Sequence, residues 1–283
     1  MSTQAVVPAA AAKTSAWPSV WRWLFGAFVA MLCLWVLFPI YLLIVNSLST
    51  PEQVNGWPKS FVPGFFLDTL GFFWNFEGVA TAMLNSVIAA LITMVLAIGF
   101  GAPAGYALAR FRFRGKTAFR LMVLMTRAFP MPLLALPLAV VFLRVGLDDT
   151  LFGVALVHTA LALPFAVLIT FSLFMGIPFE LEEAAWTLGC TRWQAFWKVV
   201  FPLAAPGMAA SAIFAFVISW NEVFAAAILT VNNQTLTAFL VQSLNESPVH
   251  VKFAGGLVLV IPALIFIFAV RKYLFSMWGI ANR

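Results

Sequence analysis

Six long apolar runs constrain the fold of this chain more than any other feature. Each holds roughly 20 or more mostly apolar residues, the length that an α-helix needs to cross a bilayer. The runs are Leu24–Leu48, Asn85–Leu108, Leu121–Leu143, Leu151–Met175, Gly207–Val231 and Phe253–Phe275. Only 9% of the 283 residues are charged, whereas a soluble domain carries about 25%. The sequence therefore predicts an all-α membrane protein with six transmembrane helices.

Prolines make the bounds of the third and fourth runs uncertain. Pro130, Pro132 and Pro137 lie in the third run, and Pro164 lies in the fourth. Membrane helices tolerate proline when neighbouring groups satisfy the freed carbonyl oxygens. Both runs are therefore predicted to span the membrane, although their bounds are the least well defined.

The basic residues predict the orientation, because cytoplasmic segments of membrane proteins carry an excess of Lys and Arg. With the N-terminus in the cytoplasm, most of the basic residues fall on cytoplasmic segments. They are Lys13, Arg22, Arg110, Arg112, Arg114, Lys116, Arg120, Arg192, Lys198, Arg271, Lys272 and Arg283. We therefore predict cytoplasmic tails at 1–23 and 276–283 around a membrane domain at 24–275. The same bias accounts for the RFRFRGK run, so the lipid bilayer is an expected partner and nucleic acid is not.

Two long segments are predicted on the outer side. Loop 49–84 contains many turn-forming and aromatic residues, and loop 231–252 is polar and rich in Asn and Gln. Between them, residues 146–150 form only a tight connection.

A polar segment at 176–202, which we call the elbow, separates the fourth and fifth runs. A proline and three glutamates suit its first helical turn, where the helix dipole favours anions. They are Pro178, Glu180, Glu182 and Glu183. Gly189 suits the position after a helix end, where φ is often positive. This pattern predicts a short helix that ends at Gly189.

A second helix is predicted to follow at once. Thr191 at the N-cap and Gln194 three residues later form a capping box, and the helix is expected to end near Pro202. Two interpretations of the elbow are open on physical grounds. It is an amphipathic connector on the lipid headgroups, or its small face and the Glu183 carboxylate dock onto a partner protein.

The spacing in the elbow resembles the EAA signature of ABC-importer permeases. Glu183, Ala184 and Ala185 are followed after three residues by Gly189, and after nine more by VVFP at 199–202. Four further stretches resemble the MalG-type permease of carbohydrate importers. They are NSV at 85–87, GYALARFRFRGK at 105–116, WNE at 220–222 and TLTAFLVQSL at 235–244.

The resemblance implies that the elbow is a coupling helix that sits in a cleft of a separate ATPase subunit, present in two copies. The implied coupling residues are Glu183, Ala184, Ala185, Leu188, Gly189, Thr191 and Trp193. The chain has no GxxxxGK[ST] phosphate loop. ATP and Mg are therefore expected on the partner ATPase, and this chain is expected to bind no cofactor or metal and to be a transport subunit rather than an enzyme.

The resemblance also implies two further partners, one in the bacterial cytoplasmic membrane and one outside it. One is a MalF-like second permease, and the other is an extracytoplasmic solute-binding protein that loop 231–252 reaches. The implied contact residues are Asn232, Asn233, Gln234, Gln242 and Asn245. The C-terminus reads SMWGIANR instead of the Gly-rich tail of the family, so a contact between this tail and the ATPase is left open.

Ionisable residues inside spans are costly and point to function. Two stand clearly within the runs, Arg127 and Glu222, and Trp220 and Asn221 adjoin the second. All four are candidates for a substrate pathway, in which Arg binds hydroxyl or anionic groups. An Arg127–Glu222 pair and a packing role for Trp220 are open alternatives, and His158 is expected to be a hydrogen-bonded packing residue.

The function predicted from this resemblance is import of a sugar, polyol or glycoside, driven by ATP hydrolysis on the partner. A glycerol-phosphate-type cargo is an alternative within the same branch. A stand-alone ion-driven secondary transporter would need an internal inverted repeat and midplane ion sites, and Glu222 alone supports it. No nucleophile–base or metal-ligand set predicts an enzyme.

Overall fold

The computed structural model describes residues 19–242 and 244–277. Every regular element in this part of the chain is a helix, which confirms the all-α prediction. The helices are α1 (Ser19–Ser47), α2 (Pro51–Asn55), α3 (Asp68–Trp74), α4 (Val79–Arg110), α5 (Lys116–Met125), α6 (Met131–Val145), α7 (Leu151–Gly176), α8 (Glu180–Thr187), α9 (Arg192–Ala195), α10 (Phe201–Asn221), α11 (Phe224–Leu229), α12 (Leu236–Gln242) and α13 (Val249–Met277). Lys13, Arg283 and most of both predicted tails lie outside the described residues.

Five helices in the described ranges are long and apolar enough to cross a membrane. They are Trp21–Ser47, Val79–Arg110, Leu151–Gly176, Arg192–Asn221 and Val249–Phe268. The bent pair α5–α6 makes a sixth crossing if its two halves count as one span. The second span begins at Val79, inside the predicted outer loop 49–84, and that loop also contains α2 and α3.

The third predicted span, Leu121–Leu143, is broken where its prolines lie, and it counts as one crossing if its two halves are taken together. A short 3₁₀ turn follows α5, the chain is extended at Phe129, and α6 starts at Met131 with its axis bent by 91°. Pro130 disfavours helical geometry at the residue before it, and Phe129 accordingly adopts φ −83° and ψ 120°. Pro132 fits the first turn of α6, where no backbone donor is needed.

The prediction that the second elbow helix ends near Pro202 is wrong. A π-helical turn at Phe196–Val200 joins α9 to α10, so one continuous helix runs from Arg192 to Asn221. In this wide turn the Phe201 N–H bonds to the Phe196 carbonyl. Pro202 comes directly after it, in the first turn of α10, where its missing N–H does not interrupt the helix.

The fifth span also ends earlier than predicted, at Asn221 instead of Val231. Glu222 is extended, with φ −76° and ψ 130°. Its carboxylate accepts the N–H groups of Ala225 and Ala226 at the start of α11. These bonds cap the start of α11. The apolar run therefore continues past Asn221 as a second, separate helix and not as part of α10.

The centre of the bundle is α4 packed along α7, with α10 against both. Gly105 makes the closest approach, because a Cβ there would lie 2.2 Å from Thr170 Oγ1 and 2.6 Å from the Phe171 nitrogen. Thr170 Oγ1 also donates a hydrogen bond to the Gly101 carbonyl across this contact, at 2.9 Å. α1 packs mainly against α13 and leaves most of its side chains exposed.

Candidate functional site

The elbow has the two-helix form that its sequence predicts. Its first helix, α8, ends where Gly189 takes φ +88°, a value that L residues rarely adopt. The capping box is present: the Gln194 N–H donates to Thr191 Oγ1, and Gln194 Oε1 accepts from the Thr191 N–H at 2.9 Å. Both predictions about the punctuation of the elbow are confirmed.

A buried ion pair fixes the elbow to the end of α4. Arg110 Nε lies 2.5 Å from Glu182 Oε1, and the Tyr106 hydroxyl donates to Glu182 Oε2 at 2.7 Å. A second guanidinium nitrogen of Arg110 donates to the Ile177 carbonyl at 3.0 Å. The side chains of Glu182 and Arg110 are only 1% and 8% exposed. These contacts attach α8 to the C-terminal end of α4.

The sequence analysis missed this anchor, because it assigned Glu182 only to the first turn of α8. A signal for it was present. Tyr106 and Arg110 are four residues apart and so share one face of α4. A basic residue on that face is positioned to pair with an acidic residue of the elbow.

The predicted coupling residues lie mostly on the outer surface of the elbow. Glu183, Ala184, Gly189 and Thr191 are exposed, whereas Ala185 is buried beneath them. Two large apolar side chains protrude: Leu188 is 85% exposed and Trp193 is 69% exposed. The elbow therefore presents a mixed polar and apolar surface beside its buried anchor.

An open cavity of about 640 Å³ lies between the elbow and α4. Its wall is mostly apolar, and the anchor residues Tyr106, Arg110 and Glu182 form part of it. The remaining aromatic lining comes from Trp186, Trp193, Phe196, Trp197, Phe111, Phe179 and Phe201. The cavity separates part of the elbow from α4, while Phe196 of the elbow packs against Tyr106 and Phe174.

Arg127 and Glu222 do not pair with each other. Arg127 is exposed in the break between α5 and α6, where it donates to the Leu161 carbonyl at 3.1 Å and lies 4.1 Å from the centre of the Phe165 ring. Glu222 Oε2 lies 3.1 Å from His158 Nε2. The pairing alternative is therefore wrong, and each residue has its own partners.

His158 is the centre of a buried polar network. Its Nδ1 lies 2.7 Å from Ser219 Oγ, and Thr93 Oγ1 lies 3.3 Å from the same hydroxyl. The network joins α4, α7 and α10 and extends to Glu222. His158 is fully buried, so its predicted role as a hydrogen-bonded packing residue is confirmed.

The two neighbours of Glu222 have different environments. Trp220 is 2% exposed, donates its indole N–H to the Leu259 carbonyl at 3.2 Å and stacks on Phe216. Asn221 is exposed and donates to the Val217 carbonyl at 2.9 Å. Burial favours the packing alternative for Trp220, while a pathway role for Asn221 and Glu222 stays a prediction.

The residues predicted to contact a binding protein form a compact hydrogen-bonded loop. Asn232 and Asn233 are exposed and bond to Asp149, a residue that the sequence analysis did not select. Gln234 bonds to Gln242, which in turn donates to the Ala227 carbonyl. The Asn245 carbonyl accepts from Lys252 Nζ at 2.6 Å.

Asp149 stays ionised in this loop. Burial raises the pKa of its carboxyl, but hydrogen bonds from Val231, Asn232 and Asn233 outweigh burial and hold the pKa below its usual range. The carboxylate is therefore a permanent acceptor at neutral pH.

The family model of the binding-protein-dependent transport system inner membrane component matches residues 101–276. The chain belongs to this family. The permease is 36% identical over 212 residues to the trehalose transport system permease protein SugB of Mycobacterium tuberculosis (strain CDC 1551 / Oshkosh), covering 71% of this chain and 77% of that protein. It is 30% identical over 265 residues to the arabinooligosaccharides transport system permease protein AraQ of Halalkalibacterium halodurans, covering 89% and 92%.

The fold of the permease is also similar to that of a solved bacterial ABC transporter involved in the import of the acidic polysaccharide alginate. The TM-score is 0.71 at 22% identity, with 90% of this chain and 96% of that chain covered. Members of the family are integral membrane subunits of ABC importers, and a separate ATPase hydrolyses the ATP. The permease is therefore a transport subunit and not an enzyme.

Proposed function

We propose that this permease moves a sugar or short glycoside across the bacterial cytoplasmic membrane, with the elbow as the part that receives force from the ATPase. The cargo class is supported by the names of the trehalose and arabinooligosaccharide permeases. ATP and Mg are bound by the partner, and the ion-driven alternative is set aside because the family depends on a separate ATPase.

The observation that carries the mechanical role is the joint between elbow and α4. The elbow exposes Leu188 and Trp193 on its outer surface, while Glu182 behind them is held by Arg110 of α4. An exposed surface with a rigid internal attachment suits a part that is pushed from outside the bundle. The ion pair, in which Arg110 Nε lies 2.5 Å from Glu182 Oε1, transmits a displacement of α8 to α4. α4 in turn packs along α7 and α10.

The proposed topology has both termini and the elbow in the cytoplasm and counts α5–α6 as one broken span. Arg110, Arg112 and Arg114 then lie on the cytoplasmic side, as the positive-inside rule requires. Loop 231–252 lies on the opposite side, where it faces the solute-binding protein. The exposed residues Asn232, Asn233, Gln242 and Asn245 are its proposed contacts.

The proposed partners complete the pathway. A second permease of the same kind would cover the apolar faces that this chain exposes, and two ATPase copies would engage the two elbows. Arg127 is the proposed pathway residue, because it is exposed at a helix break and rests on the Phe165 ring. Aromatic faces and guanidinium donors suit the C–H faces and hydroxyl groups of a sugar.

Proteoliposomes test the proposal directly. Both permeases and the ATPase are reconstituted, the solute-binding protein is added outside with radiolabelled trehalose or another disaccharide, and Mg-ATP is enclosed. We expect uptake with ATP and none with a non-hydrolysable analogue. Uptake by this chain alone under a proton gradient would instead support an ion-driven transporter.

A further inference from the structure

We propose that Asp149 is a positioning residue that holds the loop tip at 231–233 in the shape that the solute-binding protein recognises. The inference rests on the proposed function, in which loop 231–252 faces that protein. It concerns a residue outside the loop, on the connection between α6 and α7.

One carboxylate organises the whole loop tip. Asp149 Oδ1 accepts the backbone N–H groups of Val231, Asn232 and Asn233, each at 2.9 Å. Asp149 Oδ2 accepts from the Asn232 side-chain amide at 2.8 Å. Successive backbone N–H groups that converge in this way form a concave anion-binding nest. Here the anion is supplied by the chain itself.

The backbone of Asp149 is bonded to the same segment. Its N–H donates to the Leu229 carbonyl at 2.9 Å, and its carbonyl accepts from the Asn233 side-chain amide at 2.8 Å. Its φ is +51°, a region in which Asp and Asn are enriched among non-Gly residues. The next residue, Thr150, caps α7 by accepting from the Gly153 N–H. The loop tip is therefore attached to the first turn of α7.

The opposite end of the tip is attached to α4. Asn85 donates its side-chain N–H to the Gln234 carbonyl at 3.0 Å, and Ser86 Oγ accepts the Leu236 N–H at 2.7 Å. Between these attachments Val231 remains 75% exposed. The tip thus presents an apolar side chain on an ordered backbone, as a protein-binding surface requires.

Order in the free loop has a defined consequence for binding. A loop that is already in its bound shape loses less conformational entropy when a partner binds. Removal of the Asp149 carboxylate should therefore weaken the encounter with the binding protein, while the later ATP-driven steps proceed at their normal rate.

Three variants separate the effect of the Asp149 carboxylate from that of its backbone conformation. Asp149→Gly keeps the backbone free to adopt positive φ but removes every carboxylate acceptor. Asp149→Asn keeps one acceptor oxygen and the tolerance of positive φ. Asp148→Asn changes the exposed neighbouring carboxylate and is the matched control.

The experiment measures ATPase rate in the assembled complex in phospholipid nanodiscs, titrated with disaccharide-loaded binding protein. For Asp149→Gly we expect the half-saturating concentration of binding protein to rise by about tenfold or more, with the maximal rate within about twofold of the wild type. Asp149→Asn should give a smaller rise and Asp148→Asn none. Hydrogen exchange at the amides of 231–233 should accelerate in Asp149→Gly.

An unchanged half-saturating concentration in Asp149→Gly would overturn the inference, whether or not the maximal rate falls. If Asp149→Gly does not assemble, the comparison of Asp149→Asn with Asp148→Asn decides between the same outcomes. Failure of the proposed function looks different, because the wild-type complex would then show no stimulation at any concentration of binding protein.

Discussion

Arg110 of α4 and Glu182 of α8 form a buried ion pair, with Arg110 Nε 2.5 Å from Glu182 Oε1. The pair is the point at which the elbow is attached to the bundle centre. Tyr106 adds a hydrogen bond to the second carboxylate oxygen. Glu182 is buried on the inner side of α8, whereas its neighbour Glu183 is exposed. Adjacent glutamates therefore have different environments: Glu182 attaches α8 to α4, and Glu183 lies on the surface that we propose docks onto the ATPase.

Glu182→Ala is expected to destabilise the permease. It leaves Arg110 buried without its partner, a change that typically costs about 3–5 kcal/mol. The measurement is the midpoint of thermal unfolding in detergent, together with hydrogen exchange across α8. Glu180→Ala, at an exposed position of the same helix, is the control and should leave both unchanged. Equal stability of the two variants would contradict the attachment role.

Gly189 is expected to accept Asn but not Val. Its φ of +88° strains a β-branched residue, and an added Cβ would meet nothing within 4 Å in this chain, so within the permease itself the effect is one of backbone geometry. Gly189→Val should distort the elbow and reduce uptake, with a stability loss of about 1–3 kcal/mol. Gly189→Asn should retain most uptake, since Asn adopts positive φ more readily. Uptake assays on both variants, at matched expression, decide the point.

Gly105→Ala is expected to loosen the contact between α4 and α7. The added methyl group would meet Thr170 Oγ1 and the Phe171 backbone nitrogen, which lies on a rigid helix. Overpacking of this kind costs about 1–3 kcal/mol. Gly99→Ala is the matched control on the same helix, because nothing lies within 4 Å of the added atom. Because Ala favours the helix more than Gly does, Gly99→Ala should keep or raise the thermal unfolding midpoint. A midpoint that does not drop in Gly105→Ala relative to Gly99→Ala would contradict the packing role.

Arg127→Ala is expected to raise the KM for the transported sugar while leaving the thermal unfolding midpoint nearly unchanged. The guanidinium is exposed, and its contacts with the Leu161 carbonyl and the Phe165 ring contribute about 1 kcal/mol or less at such a site. Phe165→Leu removes the ring while keeping Arg127, and it should cause an intermediate change in KM. Loss of the folded protein with unchanged KM among surviving molecules would assign Arg127 to structure alone.

The parts that sequence predicted well are those governed by local rules. Apolar length located the spans, and Gly189, Thr191 and Gln194 predicted the punctuation of the elbow because positive φ and capping depend on a few adjacent residues. The predicted helix end at Pro202 was wrong, because the π turn at Phe196–Val200 lets the helix continue through the proline and composition does not reveal such a turn. By contrast, the prolines of the third run were predicted to interrupt it, and the chain bends there by 91°.

The missed site residues share a non-local origin. Asp149 and Glu182 bond to segments 82 and 72 residues away along the chain. The spacing of Tyr106 and Arg110 marks one face of α4 but does not identify its partner, and nothing in the local sequence points from Asp149 to residues 231–233, so the fold is needed to pair them. The Arg127–Glu222 alternative failed for the same reason, because His158 and the start of α11 hold Glu222 instead.

Photo-crosslinking from the tip of the elbow shows whether this segment contacts the ATPase. Benzoylphenylalanine replaces Leu188, which is 85% exposed, in the assembled complex in native membranes. The matched control carries it at Leu203, an exposed position on α10. We expect adducts between position 188 and the ATPase subunit, and lipid adducts from position 203. Lipid adducts alone from position 188, with and without ATP, would contradict this expectation.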